Sequence, residues 1–327
     1  MSESTSPEVR GFESALRENP HDLAAWCAYA DFLADRGDPR GEFMQTQLAL
    51  EDESLSKEAR DALKVREAEF LSAHQREWLG ELAPFLLDAE QPEVLTDKCG
   101  NKIPPTTFLW RRGFLWALDI EELDTAFARA LATAPAARFL HTLRVRRAGH
   151  EGELDDLAGA AIPRGIDRYS PMFELIGSPL LYNLRVFQFG PEVTNELDVT
   201  ADRWHNGSLF DCWTYIRGLE HVVASMGRVE ELHLYCKAYD PEAVFVLSNL
   251  TDLRVLRVYH LETGRGSAWR QGGGHRHEYP LDVLATNPAF ANLTHLLLHP
   301  HFADDCFLPL DQLQAVLTSE HLTKLAA

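Results

Sequence analysis

Basic residues are scarce in this sequence: 31 Lys and Arg stand against 50 Asp and Glu, a formal charge of −19 with His neutral. Binding to phosphate backbones or to anionic lipid depends on neutralisation by Lys and Arg, so nucleic acid and membrane surfaces are excluded as expected partners. Cysteine is scarce too. Cys27, Cys99, Cys212, Cys236 and Cys306 are odd in number, widely spaced and contain no CxxC pair. That excludes a disulfide framework and a zinc ribbon, and predicts reduced thiols, several of them buried as small apolar side chains. No run approaches the roughly 20 apolar residues of a membrane span, and the first ten residues are polar and acidic rather than basic and then apolar. The expected location is the cytoplasm.

Catalytic signatures are missing as well. There is no GxSxG, no HExxH and no HxE paired with CxxC, so nucleophilic and metal-hydrolase chemistry have no anchor. Gly272-Gly273-Gly274 is followed by no GK[ST] and reads as a loop tip rather than a phosphate cradle. His260, His275, His277, His295, His299 and His301 gather late in the chain, followed by Asp304, Asp305 and Cys306, but their spacing fits no zinc signature. Asp31, Asp35, Asp38 and Glu42 lack the alternating oxygen ligands and closing Glu of a calcium loop, and read as capping and pairing around a turn. The sequence therefore predicts no enzymatic activity, no cofactor and no metal.

What is present is the material of about two soluble domains: 327 residues, 45% hydrophobic and 25% charged. Residues 1–90 read as a small all-α domain. A first helix carrying Phe12, Ala15 and Leu16 ends at Asn19-Pro20, and a second presents Leu23, Trp26, Cys27, Ala30, Phe32 and Leu33. The turn Asp35-Arg36-Gly37-Asp38-Pro39 separates this from a third helix over Gly41 to Leu50, and a fourth covers Ser56 to Trp78. Residues 91–107, with Pro92, Gly100, Pro104 and Pro105, form a connector.

From residue 108 to 327 the texture changes to a seven-residue pattern, apolar-x-x-apolar-x-apolar-x. It recurs at Leu115/Leu118/Ile120, Leu140/Leu143/Val145, Leu181/Leu184/Val186, Val229/Leu232/Leu234, Leu253/Leu256/Val258 and Leu293/Leu296/Leu298, with a truncated copy at Leu322/Leu325. Helix-compatible stretches precede each complete copy from Leu140 onward: Leu123 to Thr133, Met172 to Ile176, Trp213 to Ser225, Pro241 to Leu247 and Leu281 to Ala285. One helix-strand unit cannot bury its leucines alone, whereas stacked units bury them in a continuous core, so the pattern predicts an α/β solenoid with a curved parallel sheet. Longer intervals contain insertions near 149–169, 190–206 and 263–278, rich in Gly, Pro, Asp and Asn.

The helix-before-strand units, with phrases such as Asn249-Leu250-Thr251-Asp252-Leu253-Arg254-Val255-Leu256 and Asn292-Leu293-Thr294-His295-Leu296, resemble degenerate leucine-rich repeats of the ribonuclease-inhibitor-like type. The Asn that such repeats carry after the strand is replaced by Ala148 or Gly149, Phe189, Lys237, Leu261 and His301. Phe12-Glu13-Ser14-Ala15-Leu16-Arg17-Glu18-Asn19-Pro20 and Tyr29-Ala30-Asp31-Phe32-Leu33-Ala34-Asp35-Arg36-Gly37-Asp38-Pro39-Arg40-Gly41-Glu42-Phe43 are similar to a repeat-companion domain that precedes such repeats in large bacterial paralogue families. The likeness continues at Trp78-Leu79-Gly80 and Arg111-Arg112-Gly113-Phe114. It implies an architecture rather than a chemistry.

With the apolar positions of each strand turned inward, the alternate residues face the concave side. That frame predicts a protein-binding face of Arg144, Arg146, Arg185, Phe187, His233, Tyr235, Arg257, Tyr259, His295 and His299. Arg and aromatic residues dominate binding hot spots, and a locally basic wall on an acidic chain suits an acidic segment of another protein. Reversing charge at Arg185 and Arg257 is the test this frame suggests. An inhibitor or immunity-type protein that occludes an enzyme, and an enzyme whose site is built by the insertions, are the competing classes. Leu322 to Leu325, read as a last strand without a polar cap, leaves two expectations: a chain that continues beyond this sequence, or an edge that meets a partner, a second copy of the chain among the candidates.

Overall fold

Each of the first four helices opens on a polar side chain that accepts a hydrogen bond from the first turn. A computed structural model of the chain describes residues 6–88, 105–148, 170–190, 218–235, 241–259, 279–299 and 310–325. In it Ser6 Oγ accepts from Val9 N (3.3 Å), Asp22 Oδ1 from Ala25 N (3.0 Å), Asp38 Oδ1 from Arg40 N (2.8 Å) and Ser56 Oγ from Ala59 N (3.2 Å). These caps satisfy N–H groups that no helical carbonyl reaches. They start α1 (Pro7–Glu18), α2 (Leu23–Ala34), α3 (Pro39–Leu50) and α4 (Lys57–Leu79). The predicted N-terminal helical region is therefore present.

The chain divides into two compact units, the first comprising Met1–Asp88, Phe108–Ala117 and Ala134–Leu140. Its core packs Leu16, Trp26, Tyr29, Ala30 and Met44 against Phe114, Trp116 and Phe139. The Trp26 ring lies 5.3 Å from Phe139 and 5.9 Å from Phe114, within the range of favourable aromatic pairs. Phe114 and Phe139 thus belong to the helical unit although they lie in sequence that reads as the leucine-patterned region.

Phe114 arrives on a hairpin. β1 (Thr107–Arg111) and β2 (Phe114–Leu123) are joined by Arg112 and Gly113, whose φ angles are both positive, 50° and 80°. A two-residue turn of this kind matches the twist of antiparallel neighbours. Arg112 tolerates the conformation because it is anchored: its guanidinium donates to Glu51 Oε1 (2.9 Å), Glu51 Oε2 (2.7 Å) and Pro20 O (2.9 Å). Gln47 completes the clamp, accepting from Gly113 N at 2.7 Å and donating to Trp110 O at 3.2 Å. Leu115, Leu118 and Ile120 therefore lie in the second arm of a hairpin, not in a strand that follows a helix.

The sheet has seven strands in the order β1 to β7. The second unit contains β3 (Thr142–Ala148), β4 (Val186–Phe189), β5 (Glu231–Tyr235), β6 (Val255–Tyr259) and β7 (His295–His299), each pairing in parallel with the next. Helical segments precede them: Thr125–Thr133, Pro179–Asn183, Leu219–Ala224, Pro241–Phe245 and Leu281–Thr286. The coarse expectation of an α/β arrangement with a mostly parallel sheet holds.

The register corrects one strand. Leu143 pairs with Phe187 and Val145 with Phe189, so the inward positions of β4 are Phe187 and Phe189 rather than Leu184 and Val186. Phe187, Phe189, Leu184 and Leu181 are all 0% exposed, and the apolar frame runs over Leu181, Leu184, Phe187 and Phe189. The same frame fits Met226/Val229/Leu232/Leu234 and Leu250/Leu253/Leu256/Val258, also buried throughout.

Polar residues before the strands tie successive helices together. Ser178 Oγ donates to Ala132 O (2.7 Å), Asn249 Nδ2 to Val223 O (3.1 Å), Asn287 Nδ2 to Phe245 O (2.7 Å) and Ser319 Oγ to Ala285 O (2.5 Å). They donate to carbonyls in the last turns of these helices, where intrahelical donors run out. The side chains that bridge neighbouring segments thus stand ahead of the strands, not after them. Ser319 precedes Leu322 and Leu325 as Asn287 precedes Phe290 and Leu293, so Leu322 and Leu325 occupy pre-strand positions. Leu322–Leu325 forms turns and no strand.

Candidate functional site: the outward face of the parallel sheet

The parallel register brings three columns of alternate strand residues together, and one of those residues, Tyr235, is buried at 2% exposed. The first runs Thr142, Val186, Glu231, Val255, His295; the second Arg144, Gln188, His233, Arg257, Leu297; the third aligns Tyr235, Tyr259 and His299. Neighbouring strands lie about 4.8 Å apart, so adjacent members of a column can touch one ligand.

Of the ten predicted residues, Arg144, His233 and Arg257 share the second column, and Tyr235, Tyr259 and His299 share the third. His295 closes the first column and is exposed. Two are not on the face. Phe187 points into the core, fully buried. Arg185 precedes β4 and is 7% exposed, with Nη1 donating to Arg228 O at 3.1 Å.

The backbone around Arg185 explains its burial. Its N–H donates to His141 O (3.0 Å), and its own carbonyl accepts from both Glu230 N (2.7 Å) and Glu231 N (2.9 Å). The same double acceptance repeats at Glu230 O and Arg254 O, so a row of shared carbonyls runs across the sheet just before the strands. Arg185 bridges this row, with Glu230 and Asp252 oxygens each 3.9 Å from its guanidinium. Reversing its charge would break the turns, so Arg185 is unsuitable as a probe of binding.

Arg146 is on the sheet but committed: Nε and Nη2 donate to the two Asp119 oxygens at 2.9 and 2.7 Å. Such bidentate pairing holds the guanidinium in place. Gln188 joins the second column, which the seven-residue frame did not foresee. It is 5% exposed, and its Nε2 donates to Gly190 O at 3.0 Å. Reading the apolar frame through to Phe187 and Phe189 would have revealed it.

His233 is the centre of the column. It is 8% exposed, and its Nε2 is buried without a hydrogen-bond partner. Tyr235 packs edge-on at 6.1 Å between ring centroids. Glu231 Oε2 is 3.6 Å from Nε2, beyond hydrogen-bond reach. Burial first, then the guanidiniums of Arg257 and Arg144, push the imidazole down to about 4. The Glu231 contact alone would favour the charged ring; its carboxylate is 44% exposed and solvent-screened, so burial and the two cations outweigh it.

This depression makes stability depend on acid. The unfolded imidazole, near about 6.5, binds its proton before the folded one does, so stability is lost as pH falls from about 6.5 towards 4. Wild type is expected to lose about 2 kcal/mol more than His233→Asn between pH 7 and pH 4.5, read from urea unfolding. Equal losses would mean that the ring titrates normally.

Among the described residues, no group of three or more His, Cys, Asp and Glu could hold a metal. Of the late histidine cluster only His295 and the backbone of His299 are described; the rest lie outside the described residues. The described residues also include no helix long and apolar enough to cross a membrane. No family model, curated protein or solved structure matches the chain.

Proposed function

We propose that this chain is a non-enzymatic recognition protein, an α/β solenoid of degenerate leucine-rich-repeat type carried on a helical repeat-companion domain. Its outward sheet face binds an acidic segment of another protein. The observation that carries the reading is the second column, where parallel pairing sets Arg144, Gln188, His233 and Arg257 on four successive strands. The formal charge of −19 sharpens the selectivity, because an acidic ligand is repelled elsewhere and attracted here. The resemblance of the N-terminal motifs and the ladder of helix-capping Asn and Ser side chains support the architecture.

Hexaglutamate is a direct probe. It is expected to bind with an affinity that falls as salt rises, and Arg144→Glu/Arg257→Glu is expected to weaken it about 100-fold, two charge-assisted contacts of about 1.5 kcal/mol each. Isothermal titration calorimetry at neutral pH reads both. Undiminished binding by the double variant would remove this face from the function.

A further inference from the structure

The column contains a buried polar atom that the fold does not use. His233 Nε2 makes no hydrogen bond, although the residue is more than nine-tenths buried. An unpaired buried polar atom costs about 1 to 3 kcal/mol, and folds rarely carry one without a compensating use. It stands on the strand next to Arg257 and two strands from Arg144, in one row.

We propose that His233 Nε2 is the hydrogen-bond donor for a carboxylate of the bound acidic segment, and that the ring takes up one proton as that carboxylate settles between Arg144 and Arg257. This rests on the acidic-segment reading and adds to it a proton-coupled specificity group. The reasoning is electrostatic. In the free protein two cations and a buried position oppose a third positive charge. A carboxylate in the row supplies the missing acceptor and offsets the guanidinium charges, so the protonated ring becomes favourable in the complex alone. A neutral or cationic occupant would do neither. Among the described residues, the charged or titratable groups facing the ring are Glu231 and Tyr235 on its own strand, Arg257 on the next and Arg144 across Gln188.

The sign follows from linkage: the complex binds more protons than the free protein, so affinity rises as pH falls. If the bound ring returns to about 6.5, hexaglutamate binds about tenfold more tightly at pH 5.5 than at pH 8. The peptide itself stays almost fully ionised over this range, because its carboxyls titrate near about 4.3. The experiment is calorimetric titration of the full chain with hexaglutamate at both pH values and constant ionic strength, in two buffers of different ionisation enthalpy.

The expected result is the tenfold difference, with close to one proton taken up per peptide at pH 5.5. His233→Asn and His233→Gln, each checked for native circular dichroism, are expected to bind at pH 8 and to lose both effects. Equal affinity at the two pH values without proton uptake would overturn the proposal while leaving the acidic-segment reading intact. Retention of the pH dependence by a folded His233 variant would do the same and move the effect to His295 or His299. Absence of hexaglutamate binding at both pH values would overturn the reading and the proposal together.

Discussion

Substituting valine for Gly41 is expected to destabilise the helical unit by at least about 3 kcal/mol, the upper range for forcing atoms into a filled space. Gly41 sits in the first turn of α3 where that helix meets α2. A Cβ built there lies 2.2 Å from Ala34 N and 2.7 Å from Ala30 O. Both are backbone atoms, which cannot rotate away, so relief requires the two helices to separate. Separation would strip Trp26, Tyr29, Ala30 and Met44, all at most 1% exposed, of the contacts that define the core. Gly11 is the matched control. It lies inside α1 with nothing within 4 Å of its Cβ. Gly11→Ala should stabilise by about 0.5 to 1 kcal/mol, through the smaller entropy of the unfolded chain and better helix propensity. Thermal melts of the full chain followed by circular dichroism separate the two, with Tm falling for the first and rising for the second. A Gly41→Val protein that melts like wild type would refute the close helix crossing.

The helical unit was legible because its signals are local. Apolar spacing marks each helix, and Asn19-Pro20 and the turn Asp35-Arg36-Gly37-Asp38-Pro39 mark where helices cannot continue. The hairpin was not legible. Its turn is Arg112-Gly113 instead of the Asn-Gly or Asp-Gly that marks such a turn, and the positive φ of Arg112 is held by Glu51 and Pro20, far away in sequence. Tertiary bonds, not local preference, set that conformation. Glu51 itself carried no sequence signal, because nothing in the chain around it predicts two arginine partners.

The sheet face divides in the same way. Arg144, His233 and Arg257 fell into one column because their strands share the inward positions that leucine spacing reveals. Burial of the ring at 233, the loss of Arg146 to Asp119 and the role of Gln188 depend on what each side chain meets across strands. One-dimensional patterning fixes which face a residue occupies. It does not fix whether that residue is already spoken for.

Phe187→Ala is expected to cost about 4 kcal/mol, and Val186→Ala less than about 1 kcal/mol, a contrast that decides the register of β4. In the paired register Phe187 stands level with Leu143 and Leu232, fully buried, while Val186 stands level with Thr142 and Glu231 and is half-buried. The seven-residue frame Leu181/Leu184/Val186 requires the reverse, with Val186 in the core and Phe187 on the binding face. That frame is attractive because an apolar residue happens to occupy an outward position. Leu250/Leu253/Val255 offers the same false match, yet there the true strand positions Leu256 and Val258 are aliphatic and were recognised. In β4 the true positions are both phenylalanine, which reads equally well as an aromatic hot spot. A one-residue slip would turn every side chain of the strand to the opposite face, so the two assignments have no compromise. Urea unfolding of both variants, at unchanged slope, measures the difference. A larger loss at Val186 than at Phe187 would restore the shorter frame, move Gln188 out of the column and break the continuity between Arg144 and His233 on which ligand recognition depends.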